Sequence, residues 1–254
     1  MKVLSVLAGC IFLTLACGQG TPSDLDIAGG RPAEAGAFPA MVSLQAQWNG
    51  EYQHYCGGVL IAPQTVLSAA HCFFDYDEPL LAVVGEHDLS RRDPGEKRVM
   101  VSRIQVHPDY QSRTEENDLA LLHLTKRVRV PVPDLNHRRL ADTGGQQAVI
   151  LGWGKTARLS GWPDRLMVGE VTLVDSAECQ RRHRRDRVYE TALCAGVVEE
   201  AVDSCEGDSG GPLLSHDGVL LGITSWGGRC GNRLRPGVYT RISSFAGWIR
   251  HRMR

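Results

Sequence analysis

Apolar residues recur along the chain in short runs separated by turn-forming residues. Residues 40–44, 59–61, 81–84, 99–106, 119–124, 149–152, 168–174, 219–225 and 238–242 are apolar or alternate apolar with polar positions. Gly, Pro, Asp and Asn cluster between them. A two-residue period puts alternate side chains on one face of a strand, so this pattern predicts an all-β barrel or sandwich. Helical periodicity is sparse. Asp175 to Glu178 offers an acidic cap with a glutamate three positions on, which predicts a helix start. Beyond Ser243 and Ser244, Phe245, Trp248 and Ile249 share one helical face and predict a C-terminal helix. The stretch 128–140 is the predicted connection between two halves.

The 254 residues suit one large domain or two small ones, and the net charge of −1 gives no reason to expect nucleic acid as a partner. Residues 1–20 carry Lys2, an apolar stretch and a small-residue end, which read as a secretory signal peptide. Thr14, Leu15, Ala16 and Cys17 also match a bacterial lipoprotein box. The alternative to free secretion is therefore a lipid anchor on Cys17 in a bacterial cell envelope. Beyond the leader lie Cys56, Cys72, Cys179, Cys194, Cys205 and Cys230, an even set that suits an oxidising compartment. Spacing alone leaves their pairing open. No CxxC pair occurs, which argues against a zinc or dithiol redox centre.

"GDSGG" at residues 207–211 matches the G-x-S-x-G elbow that places a nucleophilic serine between a strand and a helix. The residues that follow, Gly210, Gly211 and Pro212, are poor helix material. Asp217 follows Ser209 too closely to leave room for a further strand and helix, so the elbow is rejected. A second order is available, with histidine first, aspartate next and serine last. His71 ends an apolar run beside Cys72, and Asp118 opens the run 119–124.

Together these contexts resemble the chymotrypsin family of serine endopeptidases, most closely its trypsin-like branch. The resemblance is carried by "IAGGRPAEAGAFPAMVSL", "CGGVLIAPQTVLSAAHC", "NDLALLHL", "ILGWG", "DSCEGDSGGPLL", "SWGGRCGN" and "RPGVYTRI", in that order. It implies an all-β fold of two antiparallel six-stranded β-barrels with a C-terminal helix. The barrels would span approximately residues 27–135 and 136–254, after a propeptide at residues 21–26. It implies a catalytic His71, Asp118 and Ser209, with an oxyanion hole from the N–H groups of Gly207 and Ser209. Asp203 and Ser204 would form the floor of a pocket for Arg or Lys, lined by Ser225, Trp226, Gly227 and Gly237, with Ser225 also supporting Asp118. Arg229 stands at the pocket rim where trypsins carry glycine, and is expected to point to solvent. The implied bridges are Cys56–Cys72, Cys179–Cys194 and Cys205–Cys230.

The resemblance also implies activation by a new N-terminus at Ile27, pairing with Asp208. Yet Asp26 precedes Ile27, and neither Arg nor Lys lies between Gly18 and Gly30. An enzyme of this specificity could not activate itself there. The loop 85–97 matches the family's calcium loop, with carboxylates from Glu86, Asp93 and Glu96 and backbone carbonyls from Asp88 and Arg91. The chemistry itself needs no cofactor. Expected partners are protein or peptide substrates with Arg or Lys and protein protease inhibitors, and the expected state is a monomer. The rival reading is a catalytically silent binding protein acting through the basic run 181–187. Such relatives lose His, Asp or Ser, and all three are present here.

Overall fold

The structure, a computed structural model, describes residues 30–138, 143–155, 162–196, 206–227 and 234–253. After a short β1 (Arg31–Pro32) come β2 (Met41–Trp48), β3 (Glu51–Ala62), β4 (Thr65–Ser68), β5 (Leu80–Val84), β6 (Lys97–Val106) and β7 (Ala120–Leu124). Strands β2 to β7 close a barrel in the order β2-β3-β4-β7-β6-β5. The second half holds β8 (Gln147–Gly152), β9 (Met167–Val174), β10 (Ala192–Ala195), β11 (Pro212–Ser215), β12 (Leu220–Trp226) and β13 (Gly237–Arg241). These run β9-β10-β13-β12-β11-β8, with β8 pairing back onto β9 and β1 added outside β9. The fold is thus two closed six-stranded antiparallel barrels, as the resemblance implied.

Closure removes exposed sheet edges and lets inward-facing residues fill each interior. Val42, Leu44, Leu60, Val66 and Leu122 share one face of the paired strands and fill the first barrel with no solvent exposure, while Leu67 and Leu121 are equally unexposed on the other face. Ala148, Val171, Leu213 and Tyr239 do the same in the second. Each such Val or Leu contributes roughly 1.5–3 kcal/mol by leaving water. Residues 128–138, the described part of the predicted connection, follow β7 out of the first barrel. Leu135 bridges Leu220, with Leu220 N–H donating to Asp134 O at 2.8 Å and Asn136 N–H to Leu220 O at 3.0 Å.

Helix α1 (Ser176–Arg182) starts at the predicted cap, with Asp175 Oδ1 accepting from Ala177 N–H at 2.9 Å and Glu178 N–H at 3.4 Å. Glu178 does not complete a capping box; its carboxylate faces Arg181 and Arg182 instead. Helix α2 (Ile242–Arg252) begins slightly earlier than the predicted serines and has no side-chain cap. Packing holds it in place. Phe245 and Ile249 are buried, and the His107 ring from the first barrel lies 5.0 Å from Phe245 and 4.8 Å from Trp248.

Candidate active site

His71 and Asp118 come from neighbouring strands of the first barrel. The fully buried Ala69 and Ala70 lead the chain from β4 into the turn that presents His71. A disulfide from Cys72 to Cys56 ties that turn to β3. Asp118 lies just before β7 and is fully buried. A buried carboxylate is costly unless hydrogen-bonded, and this one is well supplied. It accepts from His71 N–H at 2.8 Å, His71 Nδ1 at 2.8 Å and Ser225 Oγ at 2.5 Å. Its backbone carbonyl accepts from Thr240 Oγ1 at 2.6 Å. Ser225 and Thr240 belong to β12 and β13, so Asp118 joins the two barrels.

The carboxylate partner fixes a proton on His71 Nδ1 and leaves Nε2 as an acceptor. Burial pulls the proton affinity of His71 down. The hydrogen bond and charge of Asp118, with the charge of Glu115, outweigh it and hold the imidazole above its ordinary pKa. Glu115 accepts from Tyr110 Oη at 2.6 Å, and its carboxylate gathers with His71 and Asp118.

Ser209 is brought to the same cleft by β11 and its preceding turn. Its carbonyl accepts from Gly57 N–H at 2.8 Å, one residue from Cys56, and Gly210 N–H donates to Thr224 O at 2.9 Å. Glycine is required at this seam. Gly210 has φ of +80°, and a Cβ there would lie 2.1 Å from Ser68 Oγ. Among the described residues, no direct hydrogen bond joins Ser209 Oγ to His71, a contact that commonly tightens only with substrate in place. The N–H groups of Gly207 and Ser209 donate to no described acceptor. Asp208 is 2% exposed and accepts from Gly154 N–H at 2.7 Å. A Cβ on Gly152 would lie 1.9 Å from its Oδ1, which explains the glycine there.

Two side chains beside this turn carried no sequence signal. His54, on β3, sets Nε2 at 3.1 Å from Gly207 O and Nδ1 at 2.8 Å from Ser43 Oγ. The carbonyl must accept, so Nε2 carries the proton and Nδ1 accepts from the hydroxyl. Burial drives its pKa down to about 4, against the hydrogen bond to Gly207. Trp162, half exposed, lies over Gly207, where a Cβ would come within 2.1 Å of the indole. Only long-range juxtaposition could have revealed either residue.

Gly227 and Gly237 lie side by side, a Cβ on Gly227 falling 3.5 Å from Gly237 Cα. Ser225 turns its hydroxyl to Asp118, and Trp226 follows it at the end of β12. Asp203, Ser204, Arg229, Ile27 and the Cys205–Cys230 pair lie outside the described residues, as does the leader with Cys17. Cys179–Cys194 is formed, joining α1 to β10. Among the described residues, no helix is long and apolar enough to cross a membrane.

The loop 85–97 gathers the three expected carboxylates but binds them internally. Asp93 Oδ2 accepts from His87 N–H at 3.1 Å and Asp88 N–H at 2.8 Å, while Glu96 Oε2 accepts from Asp93 N–H at 3.0 Å. Arg98 sits 3.4 Å from Glu96 Oε1, and Arg91 Nε 3.1 Å from Asp88 Oδ2. Glu86 is nearly buried; burial, then repulsion from Glu96, outweighs the His87 amide and raises its pKa to about 7.

Two antiparallel barrels flanking a His–Asp pair and a Gly-rich serine turn define the class of trypsin-fold serine endopeptidases. The chain belongs to the Trypsin family, whose sequence model matches residues 27–249. It is 35% identical over 238 residues to Trypsin-1 of Astacus astacus, covering 88% of this chain and 98% of that one. It is 34% identical to the anionic trypsin of Canis lupus familiaris, covering 98% and 97%, and 34% identical to Trypsin I-P1 of Gallus gallus, covering 100% and 99%. The protein is a serine endopeptidase, acting on protein or peptide substrates.

Proposed function

We propose that the protein is a secreted endopeptidase that hydrolyses peptide bonds after Arg or Lys through an acyl-enzyme on Ser209. The observation that carries the mechanism is the hydrogen-bonded run from Ser225 Oγ through Asp118 Oδ2 to His71 Nδ1. His71 Nε2 takes the proton of Ser209 Oγ as that oxygen attacks the scissile carbonyl carbon. Asp118 stabilises the imidazolium that forms. The N–H groups of Gly207 and Ser209 receive the oxyanion, and each such donor is worth about 3 kcal/mol of transition-state stabilisation. His71 passes its proton to the departing amine. Water then attacks the acyl carbon while giving a proton to His71, and His71 returns that proton to Ser209 Oγ as the carboxylic acid product leaves.

Specificity rests on Asp203 at the floor of a slot walled by Gly227 and Gly237. An unpartnered carboxylate in such a slot favours a long cationic side chain over Phe or Ala. Activation rests on the ammonium of Ile27 reaching Asp208 after the leader 1–20 and the propeptide 21–26 are removed. Asp26 assigns that cut to a protease specific for acidic residues, or to trimming. Protein inhibitors that present Arg or Lys to the slot are further partners, and the enzyme acts as a monomer.

A fluorophosphonate probe tests the nucleophile. Labelling of Ser209 is expected in processed enzyme and lost in Ser209→Ala. N-terminal sequencing of secreted, active enzyme should begin at Ile27, and activity in a chain retaining residues 21–26 would overturn the activation scheme.

Calcium at the loop 85–97 belongs to the same proposal. The oxygen-rich, carboxylate-bearing loop supports it, with Glu86, Asp93 and Glu96 as ligands and carbonyls from Asp88 and Arg91. Binding would exchange the internal amide contacts of Asp93 and Glu96 for the ion. Its role would be structural, ordering a loop that contains Arg91 and Arg92.

A further inference from the structure

The basic run at residues 181–187 is displayed on a braced platform. Gln180 Nε2 donates to His183 O at 3.2 Å and Asp186 O at 3.1 Å, and its Oε1 accepts from Val188 N–H at 2.9 Å. The buried His183 anchors the loop through Nε2 to Pro236 O at 2.8 Å. The Cys179–Cys194 bridge fixes its base.

Two grooves share Arg185. One, of about 690 Å³, is lined by Arg181, Arg182, Arg184 and Arg235 with Glu178. The other, of about 370 Å³, runs past Arg187 and Arg113 to Trp226 and Glu115, beside His71. Together they present seven arginines and three carboxylates. Glu178 pairs with Arg181 and Arg182, and Asp186 with Arg235 at 3.5 Å. Among the described residues, Arg113, Arg184 and Arg185 have no carboxylate partner, and Arg187 instead covers Tyr189 at 5.0 Å. This concentration stands out in a chain of net charge −1.

The cleaved residue's carbonyl must sit at Ser209 with its side chain between Gly227 and Gly237. The second groove begins at Trp226, next to the Gly227 wall, and is assigned to the residues before the cleaved one. We propose that the arginine track is an extended substrate surface that takes acidic side chains N-terminal to the cleaved residue. The placement of its geometry on a substrate rests on the endopeptidase reading above. Glu115 sets the inner boundary. An acidic residue immediately before the cleaved one meets that carboxylate, whereas acids further upstream reach guanidinium groups, whose planar fork suits carboxylates. Continuity with the catalytic cleft favours a peptide over a sulfated polysaccharide.

The test compares peptides with Arg at the cleaved position and either three Glu or three Gln upstream, separated from that Arg by one Gly. The Glu peptide is expected to have kcat/KM on the order of 10-fold higher at low salt, falling toward parity in 1 M NaCl, where charge is screened beyond about 3 Å. In Arg113→Gln/Arg184→Gln/Arg185→Gln the Glu-to-Gln ratio should fall to about one, with a thermal midpoint reporting that the variant folds. Affinity of Ser209→Ala enzyme for the two peptides decides the surface without any turnover. Equal affinity and equal kcat/KM in the wild type would overturn the proposal. So would equal ratios combined with arginine-dependent retention on heparin, which would assign the track to a polysaccharide. If neither peptide were cleaved but the Glu peptide bound more tightly, the surface would stand and the Arg or Lys specificity would fall.

Discussion

His54 Nε2 donates to the carbonyl oxygen of Gly207, at 3.1 Å, across 153 residues of sequence. That carbonyl belongs to the peptide running from Gly207 to Asp208, and the neighbouring N–H groups are the ones proposed to receive the oxyanion. His54 is thus a positioning residue for the turn, held in its tautomer by Ser43.

Removing it should loosen the oxyanion donors without touching substrate binding elsewhere. His54→Ala is expected to lower kcat by roughly 10- to 100-fold, below the loss from deleting a donor outright, with KM changed little. Steady-state kinetics on an Arg amide checks this, and a pure KM effect would argue against it.

His54 also links stability to pH. Its folded pKa of about 4 lies below the ordinary 6.5, so between those values the unfolded chain binds the extra proton. Stability from this residue is complete above pH 6.5 and is lost as pH falls toward 4, by up to roughly 3 kcal/mol. Denaturant unfolding at several pH values should show a shallower acid decline in His54→Gln. Identical slopes in both proteins would exclude His54 as the source.

Glu115 raises the proton affinity of His71. The base must be neutral to act, so activity falls as pH drops through the His71 pKa. Glu115→Gln removes part of the raising field, and the acid limb of kcat/KM against pH should move to lower pH. Movement to higher pH would contradict the assignment.

The Cys56–Cys72 bridge spans a sequence separation of 16 and holds the turn that carries His71. Cys56→Ser/Cys72→Ser should cost about 2–4 kcal/mol in unfolding free energy and reduce kcat further through a less fixed imidazole.

Calcium should raise the thermal midpoint of wild-type enzyme and slow autolysis after Arg91 or Arg92, with chelator reversing both. Glu86→Gln should abolish the response. A midpoint indifferent to calcium would reduce the loop to the internally satisfied charged turn.

Long strands were legible because alternation persists over many residues, as in β6, β9 and β12. Strands β4, β10 and β11, of four residues each, were not. Their length is too short to display a period, and pairing partners define them. Strand β3 also reaches back to Glu51, where Tyr52, His54 and their exposed neighbours alternate without an apolar run. The Asp175 cap was legible because capping is local chemistry. His71, Asp118 and Ser209 could be named from their surrounding motifs, whereas His54, Trp162 and Glu115 gain meaning only from chain segments that folding brings beside them.

The central claim is tested most directly by kcat/KM for matched amide substrates ending in Arg, Lys, Phe or Ala, using enzyme that begins at Ile27. Arg and Lys are expected to exceed Phe and Ala by at least about 100-fold, with all turnover lost in Ser209→Ala. Phe or Ala turnover equal to Arg, or activity surviving in Ser209→Ala, would contradict it.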